Sequence, residues 1–437
     1  MIIKNGTIVN SAGVRKADVY CELGRIRRIK PHIPIRGKEE VIDATGCFVL
    51  PGMIDAHVHL RDFREVMKED FFTGTSAALA GGVTSIIDMP NNSLATISLQ
   101  ALEAKKLVAS RKALCNYGFH FGATNTNFED AMDAAKDSSV AGLKIYMGSS
   151  TGSLLVDDYG AFYKHLQQFK KPIVLHAEDE HAIRHFSHEH EAKDATSHNK
   201  IRNETVAELA VSRAISTAGK TNAKIHIAHI STKKEVELIS KAKRAKMHIT
   251  CEVTPHHLLL DETLTKKMGN FAKVNPPLRG KKEIAYLWSA LKSGKIDIIA
   301  TDHAPHLKED KEKPYIDAPS GMPELDTALL LMLDAVVKKK LLLTQLVQLY
   351  SSMPAKIFNI RNKGELAVGN DADLVIVNLK EKTKITAEKL FTKCKWSPYE
   401  GLGVNASIRK TILGGKIAFD GESIIARIGE GKQLKFG

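Results

Sequence analysis

The sequence predicts an α/β protein, a (β/α)8 or TIM barrel joined to a small composite β-sandwich domain that the N- and C-terminal segments build. From about residue 50, short strand-like runs alternate with longer helical patterns, which is typical of βα units around a parallel sheet. Eight such runs can be counted, and eight is the number that closes a barrel. Strand-like segments without helices stand before and after this region.

The predicted barrel strands are short and rich in β-branched residues. They span residues 52–60, 83–89, 114–123, 140–147, 173–178, 224–230, 248–253 and 297–302. Helical patterns follow several of them, at residues 99–110, 157–170, 204–218, 233–245 and 281–292. The regular return to a helix after each strand predicts parallel neighbours.

Both ends of the chain are rich in strands and turns. Asn5-Gly6 and Leu23-Gly24 mark turns near the start, and Gly414-Gly415 predicts a hairpin near the end. Strand-like runs after the barrel cover residues 373–377, 408–413, 416–419 and 424–426. Neither end is large enough for a core of its own. We therefore expect residues 1–50 and 364–437 to pack together beside a barrel of residues 51–363.

Composition excludes several classes of protein. The 63 basic and 50 acidic residues give a net charge of +13, but the lysines are scattered and form no basic stripe with interleaved aromatics. This favours a solvated surface, with a field that attracts an anionic small-molecule substrate, over nucleic-acid binding. No apolar run reaches 18 residues and no signal peptide is recognisable, so we expect a cytoplasmic protein without membrane association. The five cysteines show no metal-binding or disulfide spacing.

The ends of the predicted strands carry the residues with chemistry. His57, His59 and Arg61 alternate along the first strand, so their side chains face the same way at the barrel mouth where barrel enzymes place their active sites. Two imidazoles at this spacing suit a divalent metal. Two histidines at this spacing are weak evidence for a metal site on their own, and the residues at the other strand ends strengthen that evidence.

Four further residues converge on the same mouth if the barrel is closed. They are Lys144 on the fourth strand, His176 on the fifth, His229 on the sixth and Asp302 on the eighth. A buried lysine can lose its proton and add carbon dioxide, and the resulting carbamate could bridge two cations. The alternative is that Lys144 pairs with an acid or with a substrate anion.

The order of these motifs resembles the amidohydrolase superfamily. The segments are PGMIDAHVH (51–59), GGVT (81–84), DMPN (88–91), GLK (142–144), HAE (176–178), HIS (229–231), TDHAPH (301–306) and GNDADLV (369–375). Within the superfamily the chain resembles the dihydroorotase family. That resemblance rests on LRD (60–62), Asn91, NPPLR (275–279) and WSPYEG (396–401).

The resemblance implies a binuclear metal hydrolase. His57, His59 and Asp302 would hold one divalent ion, His176 and His229 the other, and N6-carboxylated Lys144 would bridge them, with zinc as the expected metal. A metal-activated hydroxide would convert L-dihydroorotate into N-carbamoyl-L-aspartate, reversibly, as in de novo pyrimidine (UMP) synthesis. Asp302 would be the catalytic acid–base. The residues expected to bind the substrate are Arg61, Asn91, Asn275 and His306.

Alternatives and departures accompany this prediction. A hydantoinase- or allantoinase-type cyclic amidase is the nearest alternative, and a non-catalytic dihydroorotase-like partner of aspartate transcarbamoylase is another. A homodimer and association with aspartate transcarbamoylase are compatible with the family. Phe63, Glu324 and Asp326 depart from the family pattern, which leaves the shape of the substrate loops open. We expect residues 305–321 to act as a lid, and Glu252, His256 and His257 to support the site without binding metal.

Overall fold

Seven short strands precede the barrel. In this computed structural model, which describes residues 1–149 and 154–437, they are β1 (Ile2–Lys4), β2 (Thr7–Asn10), β3 (Gly13–Lys16), β4 (Asp18–Glu22), β5 (Arg25–Lys30), β6 (Val41–Asp43) and β7 (Phe48–Pro51). Asn5 and Leu23 take positive φ values of 61° and 49° at the two predicted turns. Asparagine is one of the few residues that tolerates this conformation readily.

Eight parallel strands in chain order form the barrel. They are β8 (Met53–Val58), β9 (Val83–Asp88), β10 (Asn116–Gly122), β11 (Val140–Tyr146), β12 (Ile173–His176), β13 (Ile225–Ile227), β14 (Ile249–Val253) and β15 (Ile298–Ile299). Val58 forms a parallel bridge with His303, and the His59 amide donates to the His303 carbonyl at 2.9 Å. These contacts join the last strand to the first and confirm the predicted barrel.

Helices lie between the strands and after the last one. They are α1 (Phe71–Ala80), α2 (Leu99–Lys112), α3 (Phe128–Ala134), α4 (Tyr159–Gln168), α5 (Glu180–Glu189), α6 (His198–Ile201), α7 (Glu204–Thr221), α8 (Lys233–Arg244), α9 (Pro255–Leu259), α10 (Leu264–Met268), α11 (Lys281–Lys292), α12 (Lys308–Lys311), α13 (Ala328–Val337), α14 (Leu343–Val347) and α15 (Met353–Ile357). Asp70, Ser98, Asp158 and Thr232 cap the starts of α1, α2, α4 and α8 by accepting backbone N–H bonds. No described helix has the length and apolar character needed to span a bilayer.

The barrel strands are buried on both faces. Every residue of β8, β9, β10, β11 and β12 is buried, because helices cover the outside and side chains fill the inside. One core cluster joins Ile54, Ala56 and Val174 inside the barrel to Phe358. The strand ends therefore stand on a packed support, which suits them to hold side chains in fixed positions.

The two chain ends share a sheet, as the fold class predicts. The remaining strands are β16 (Leu374–Asn378), β17 (Thr383–Lys384), β18 (Gly403–Val404), β19 (Ser407–Leu413) and β20 (Lys416–Phe419). N-terminal β7 pairs with C-terminal β16 in a six-stranded sheet of order β20-β19-β16-β7-β2-β3. A four-stranded sheet, β5-β4-β1-β6, accompanies it. Ile3, Val19, Leu374 and Ile412 belong to one apolar cluster that both ends supply.

The last part of the chain differs from the expected strand pattern. The run predicted at 424–426 forms only a single bridge, between Phe419 and Ile424. The final residues then lie against the barrel, where the Leu434 amide donates to the Tyr117 carbonyl at 2.7 Å. The division of the chain into domains at residues 51 and 364 stays a prediction. That division assigns the tail to the β-sandwich part, yet the tail packs on the barrel.

Candidate active site

Four imidazoles and one carboxylate meet at the carboxyl end of the barrel. His57 and His176 lie at the ends of β8 and β12, His59 follows β8 directly, and His229 and Asp302 lie in the first residues beyond β13 and β15. Asp302 Oδ1 lies 3.2 Å from His57 Nε2 and 3.0 Å from His59 Nε2. His176 Nδ1 lies 3.0 Å from His229 Nε2. The structure thus brings these five predicted residues together.

In three of the imidazoles, one ring nitrogen faces the cluster and an oxygen atom behind the ring contacts the second nitrogen. Glu252 contacts His57 Nδ1, the Asn91 Oδ1 lies 2.5 Å from His59 Nδ1, and Glu178 Oε2 lies 2.9 Å from His176 Nε2. Acceptors placed in this way fix the ring orientation and leave the opposite nitrogen able to bind a cation. Glu178 was missed by sequence reasoning, although it stands two residues after His176 in a motif already noted.

Lys144 on β11 is completely buried in the same place. Among the residues that the structure describes, its Nζ has no hydrogen-bond partner and no carboxylate within ion-pair distance. Burial lowers the pKa of Lys144 to about 8, although the negative charges of Glu252 and Asp302 oppose that shift. The amine is therefore much more easily deprotonated than an ordinary lysine, which is the condition for addition of carbon dioxide.

Asp302 carries a negative charge in this setting. Burial alone would raise the pKa of its carboxyl, but the neighbouring His57 and His59 outweigh burial and hold the pKa below its usual range. His57, His229 and Asp302 each offer a ligand atom within 4.8 Å of the others. Imidazole nitrogens with a carboxylate oxygen are a donor set that divalent zinc and similar ions accept, so the residues fit a metal centre.

The backbone of the site adopts a conformation that side chains generally avoid. Arg61, His229 and Asp302 have φ values of 54°, 32° and 50°. Left-handed backbone at residues other than glycine costs free energy and is concentrated at functional sites. Three such residues around one cavity are a feature that no sequence pattern had indicated.

Arg61 faces the same cavity from the other side. Its side chain is almost fully buried at 2% exposure, and its Nη2 lies 3.1 Å from His306 Nε2. Its Nη1 is without a hydrogen-bond partner among the described residues. A guanidinium has five N–H donors, so this group keeps capacity to bind an anion.

The cavity between these groups has about 360 Å³ of open space. Nine of the ten predicted site residues line it, and His306 lies behind Arg61. The lining also includes Tyr146, Ala304, Ser320 and Gly321, which were not predicted. Strand alternation could have found Tyr146, because it stands two residues after Lys144 on β11.

Residues 305–321 form one wall of the cavity. Lys273 Nζ donates to the Tyr315 and Ala318 carbonyls at 2.7 and 2.6 Å, and Lys311 Nζ donates to the Pro319 and Gly321 carbonyls at 2.8 and 2.9 Å. Trp396 adds a bond from its indole to the His306 carbonyl at 2.8 Å. These bonds hold the segment along its length as a wall, and its action as a lid stays a prediction.

Two of the three residues that depart from the family pattern, Glu324 and Asp326, tie the segment after this wall to the rest of the chain. Glu324 accepts a 2.5 Å bond from the Tyr399 hydroxyl and lies 3.1 Å from His256 Nδ1. Asp326 accepts backbone bonds from Phe391 and Thr392 at 2.7 and 3.2 Å. Phe63 has a φ of 78° in the loop after β8.

Comparison with known proteins identifies the family. The amidohydrolase family profile matches residues 48–418, and the chain belongs to that family. Curated relatives that match nearly the whole chain are named dihydroorotase. The one from Methanosphaera stadtmanae is 38% identical over 424 residues, which are 95% of this chain and 96% of the relative. The one from Methanosarcina acetivorans is 36% identical over an alignment of 447 positions that covers 99% of this chain and 95% of the relative.

Solved structures with the same architecture come from a neighbouring branch of cyclic amidases. L-hydantoinase (dihydropyrimidinase) from Arthrobacter aurescens matches with a TM-score of 0.95 at 29% identity, covering 99% of both chains. Dihydropyrimidinase from Brevibacillus agri matches with a TM-score of 0.93 at 29% identity, covering 100% of this chain and 99% of its own.

Proposed function

We propose that the chain is a dihydroorotase, a hydrolase that interconverts L-dihydroorotate and N-carbamoyl-L-aspartate in de novo pyrimidine synthesis. One observation carries this choice among cyclic amidases: the buried Arg61 presents a free guanidinium N–H across the cavity from the His–Asp cluster. A guanidinium suits a carboxylate, and dihydroorotate carries one on the ring carbon across from the amide to be opened. Hydantoin and dihydrouracil lack that carboxylate.

The same proposal assigns the metal ligands. His57, His59 and Asp302 would hold one divalent ion, His176 and His229 would hold a second, and N6-carboxylated Lys144 would supply anionic oxygens to both. Bound ions would make a water nucleophilic at neutral pH and polarise the ring carbonyl. The converging nitrogens and the unpartnered Lys144 Nζ support this assignment. Zinc is the metal we propose, because the ligands are nitrogen and oxygen.

The chain's own residues supply binding and proton transfer. Arg61, Asn91 and Asn275 hold the ring and its carboxylate, and His306, which we predicted as a fourth binding residue, contacts Arg61 from behind. The ionised Asp302 accepts a proton from the attacking water as the new C–O bond forms. It then returns that proton to the ring nitrogen as the C–N bond breaks, which leaves a carboxylate and a ureido group. In the reverse direction, the ureido nitrogen attacks the carboxyl group and water departs.

Ring opening of dihydroorotate tests the proposal. We expect the purified protein, with metal measured per chain, to consume dihydroorotate in an ultraviolet assay and to lose this activity after treatment with a chelator. Added zinc should restore it. A metal-loaded protein without turnover in either direction would contradict the proposal and would favour the non-catalytic partner instead.

A hydantoinase-type activity is the second candidate, because the L-hydantoinase structure superposes so closely. Dihydroorotate, hydantoin and dihydrouracil should be compared by kcat/KM at the same metal loading. Preference for either uncarboxylated ring would favour this candidate.

Assembly and location complete the proposal. We propose that the chain forms a homodimer in the cytoplasm and associates with aspartate transcarbamoylase. Light scattering of the purified protein and co-elution with that enzyme would test both statements.

A further inference from the structure

A buried chain of side chains lies behind Asn275, outside the proposed metal ligands. The Tyr315 hydroxyl lies 2.7 Å from His198 Nδ1, and His198 Nε2 lies 2.8 Å from Asn275 Oδ1. His198 and Tyr315 are 4% and 8% exposed. Asn275 lines the cavity, so these hydrogen bonds connect the loop wall, through a buried imidazole, to the substrate space.

One contact decides where the protons lie. His198 Nε2 is also 2.9 Å from the Val274 carbonyl, which can only accept a hydrogen bond. Nε2 must therefore carry the hydrogen. Burial, with help from the cations of Arg202 and Lys273, lowers the pKa of His198 to about 3, so the ring is neutral and its Nδ1 is an acceptor. The Tyr315 hydroxyl then donates to Nδ1.

These proton positions set the direction of Asn275. The His198 Nε2–H is shared between the Val274 carbonyl and the Asn275 amide, which lies 2.8 Å away, so the Oδ1 of Asn275 must face His198. A reversed amide would place two donors against each other inside the protein. The Nδ2 of Asn275, with its two hydrogens, is left for the cavity.

We infer that His198 is a positioning residue that fixes Asn275 as a hydrogen-bond donor toward an acceptor oxygen of the substrate, and that Tyr315 fixes His198. The inference rests on the proposed function for the identity of the substrate. The Tyr315 side is itself held, because Lys273 donates to the Tyr315 carbonyl and lies 4.2 Å above its ring. The loop wall thus contributes to recognition through a residue that touches no substrate.

A pair of nearly isosteric variants tests the inference. His198→Gln keeps an N–H that can face Asn275, whereas His198→Glu presents an acceptor that the cations of Arg202 and Lys273 keep ionised. The second variant should reverse the Asn275 amide and aim an oxygen at the substrate. We expect His198→Gln to change KM for dihydroorotate about threefold or less, and His198→Glu to raise it about 30-fold or more, with kcat changed much less.

Metal content and the thermal midpoint of the metal-loaded variants control for a loss of structure. Equal KM values in the two variants, whether raised or unchanged, would overturn the inference, because a merely structural role does not depend on the polarity of residue 198.

A second measurement is independent of turnover. The imidazole ¹⁵N signals of His198 in the metal-loaded protein, assigned by their loss in His198→Gln, should show the neutral tautomer with hydrogen on Nε2. An imidazolium or an Nδ1–H tautomer would overturn the inference. If the wild type fails to open dihydroorotate, the proposed function fails, and this spectrum still decides the direction of Asn275.

Discussion

The two walls of the cavity carry opposite arrangements of charge. On the metal-facing wall, formed by the four strand-end histidines, carboxylates of Glu252, Glu178 and Asp302 contact the imidazoles. On the loop wall, formed by residues 305–321 with Arg61, the buried amino groups of Lys273 and Lys311 donate to backbone carbonyls. Among the described residues, neither lysine nor Arg61 has a carboxylate within ion-pair distance.

The difference matches what each wall is proposed to receive. Buried charge is costly unless an opposite charge compensates it. Glu178 is already paired with Arg202, so Glu252 and Asp302 are the carboxylates that offset the cations we propose on this wall. On the other wall the guanidinium of Arg61 offsets a substrate carboxylate. The charge on each wall is therefore balanced only when its own ligand is bound. Substitutions on one wall should change metal binding, and substitutions on the other should change substrate binding.

Removal of the bridging group should have the largest effect. We expect Lys144→Met to lower kcat by about a thousandfold or more and to reduce the metal bound per chain, because two cations would then face each other without an anion between them. Turnover and elemental analysis measure this. Wild-type protein reloaded with metal and ¹³C-bicarbonate should show a carbamate carbon signal. Exposed Lys164→Met is the control, and full metal occupancy in Lys144→Met would contradict the assignment.

Arg61→Met should separate the substrates. We expect kcat/KM for dihydroorotate to fall by about 10² to 10³, since a buried charge-assisted bond to the carboxylate is lost. Hydrolysis of dihydrouracil, which has no carboxylate, should change less than tenfold. Equal losses on both rings would show that Arg61 supports the cavity and does not select the substrate.

Glu252→Gln should act on the metal-facing wall alone. Glu252 holds His57, and loss of its charge should weaken metal binding by about 10-fold to 100-fold. Competition with a chelator gives the affinity, and the KM at saturating metal should stay near the wild-type value. Exposed Glu237→Gln serves as the matched control. A raised KM with unchanged metal affinity would break the distinction between the walls.

Lys311→Met should have the smallest effect, confined to the loop wall. The Pro319 and Gly321 carbonyls would lose their buried donor, so the wall should loosen and KM should rise about tenfold. Metal content should not change. Lys308→Met, at an exposed lysine on the same short helix, is the control. Loss of metal in Lys311→Met would show that the walls are coupled.

Sequence patterns predicted the metal-facing wall much better than the loop wall. Strand alternation and strand order are local properties, and together they place His57, His176 and Asp302 at one mouth. The loop wall depends on pairs distant in sequence, such as Lys273 with Tyr315 and His198 with Asn275. A buried lysine that binds carbonyls looks the same in sequence as a solvated one. The strand predicted at 424–426 is reduced to one bridge for a similar reason, because a short apolar run does not specify how far pairing with its partner extends.

At Arg61, His229 and Asp302 the left-handed backbone lowers the stability of the fold, while the side chain at the same position serves the proposed activity. Glycine would relieve each of these φ values at little steric cost, but it would remove a guanidinium, an imidazole or a carboxylate from the cavity. Selection for thermal tolerance alone would thus favour loss of the very side chains on which turnover depends. Directed evolution of this scaffold should keep an activity screen in every round, since its most robust descendants could be inert.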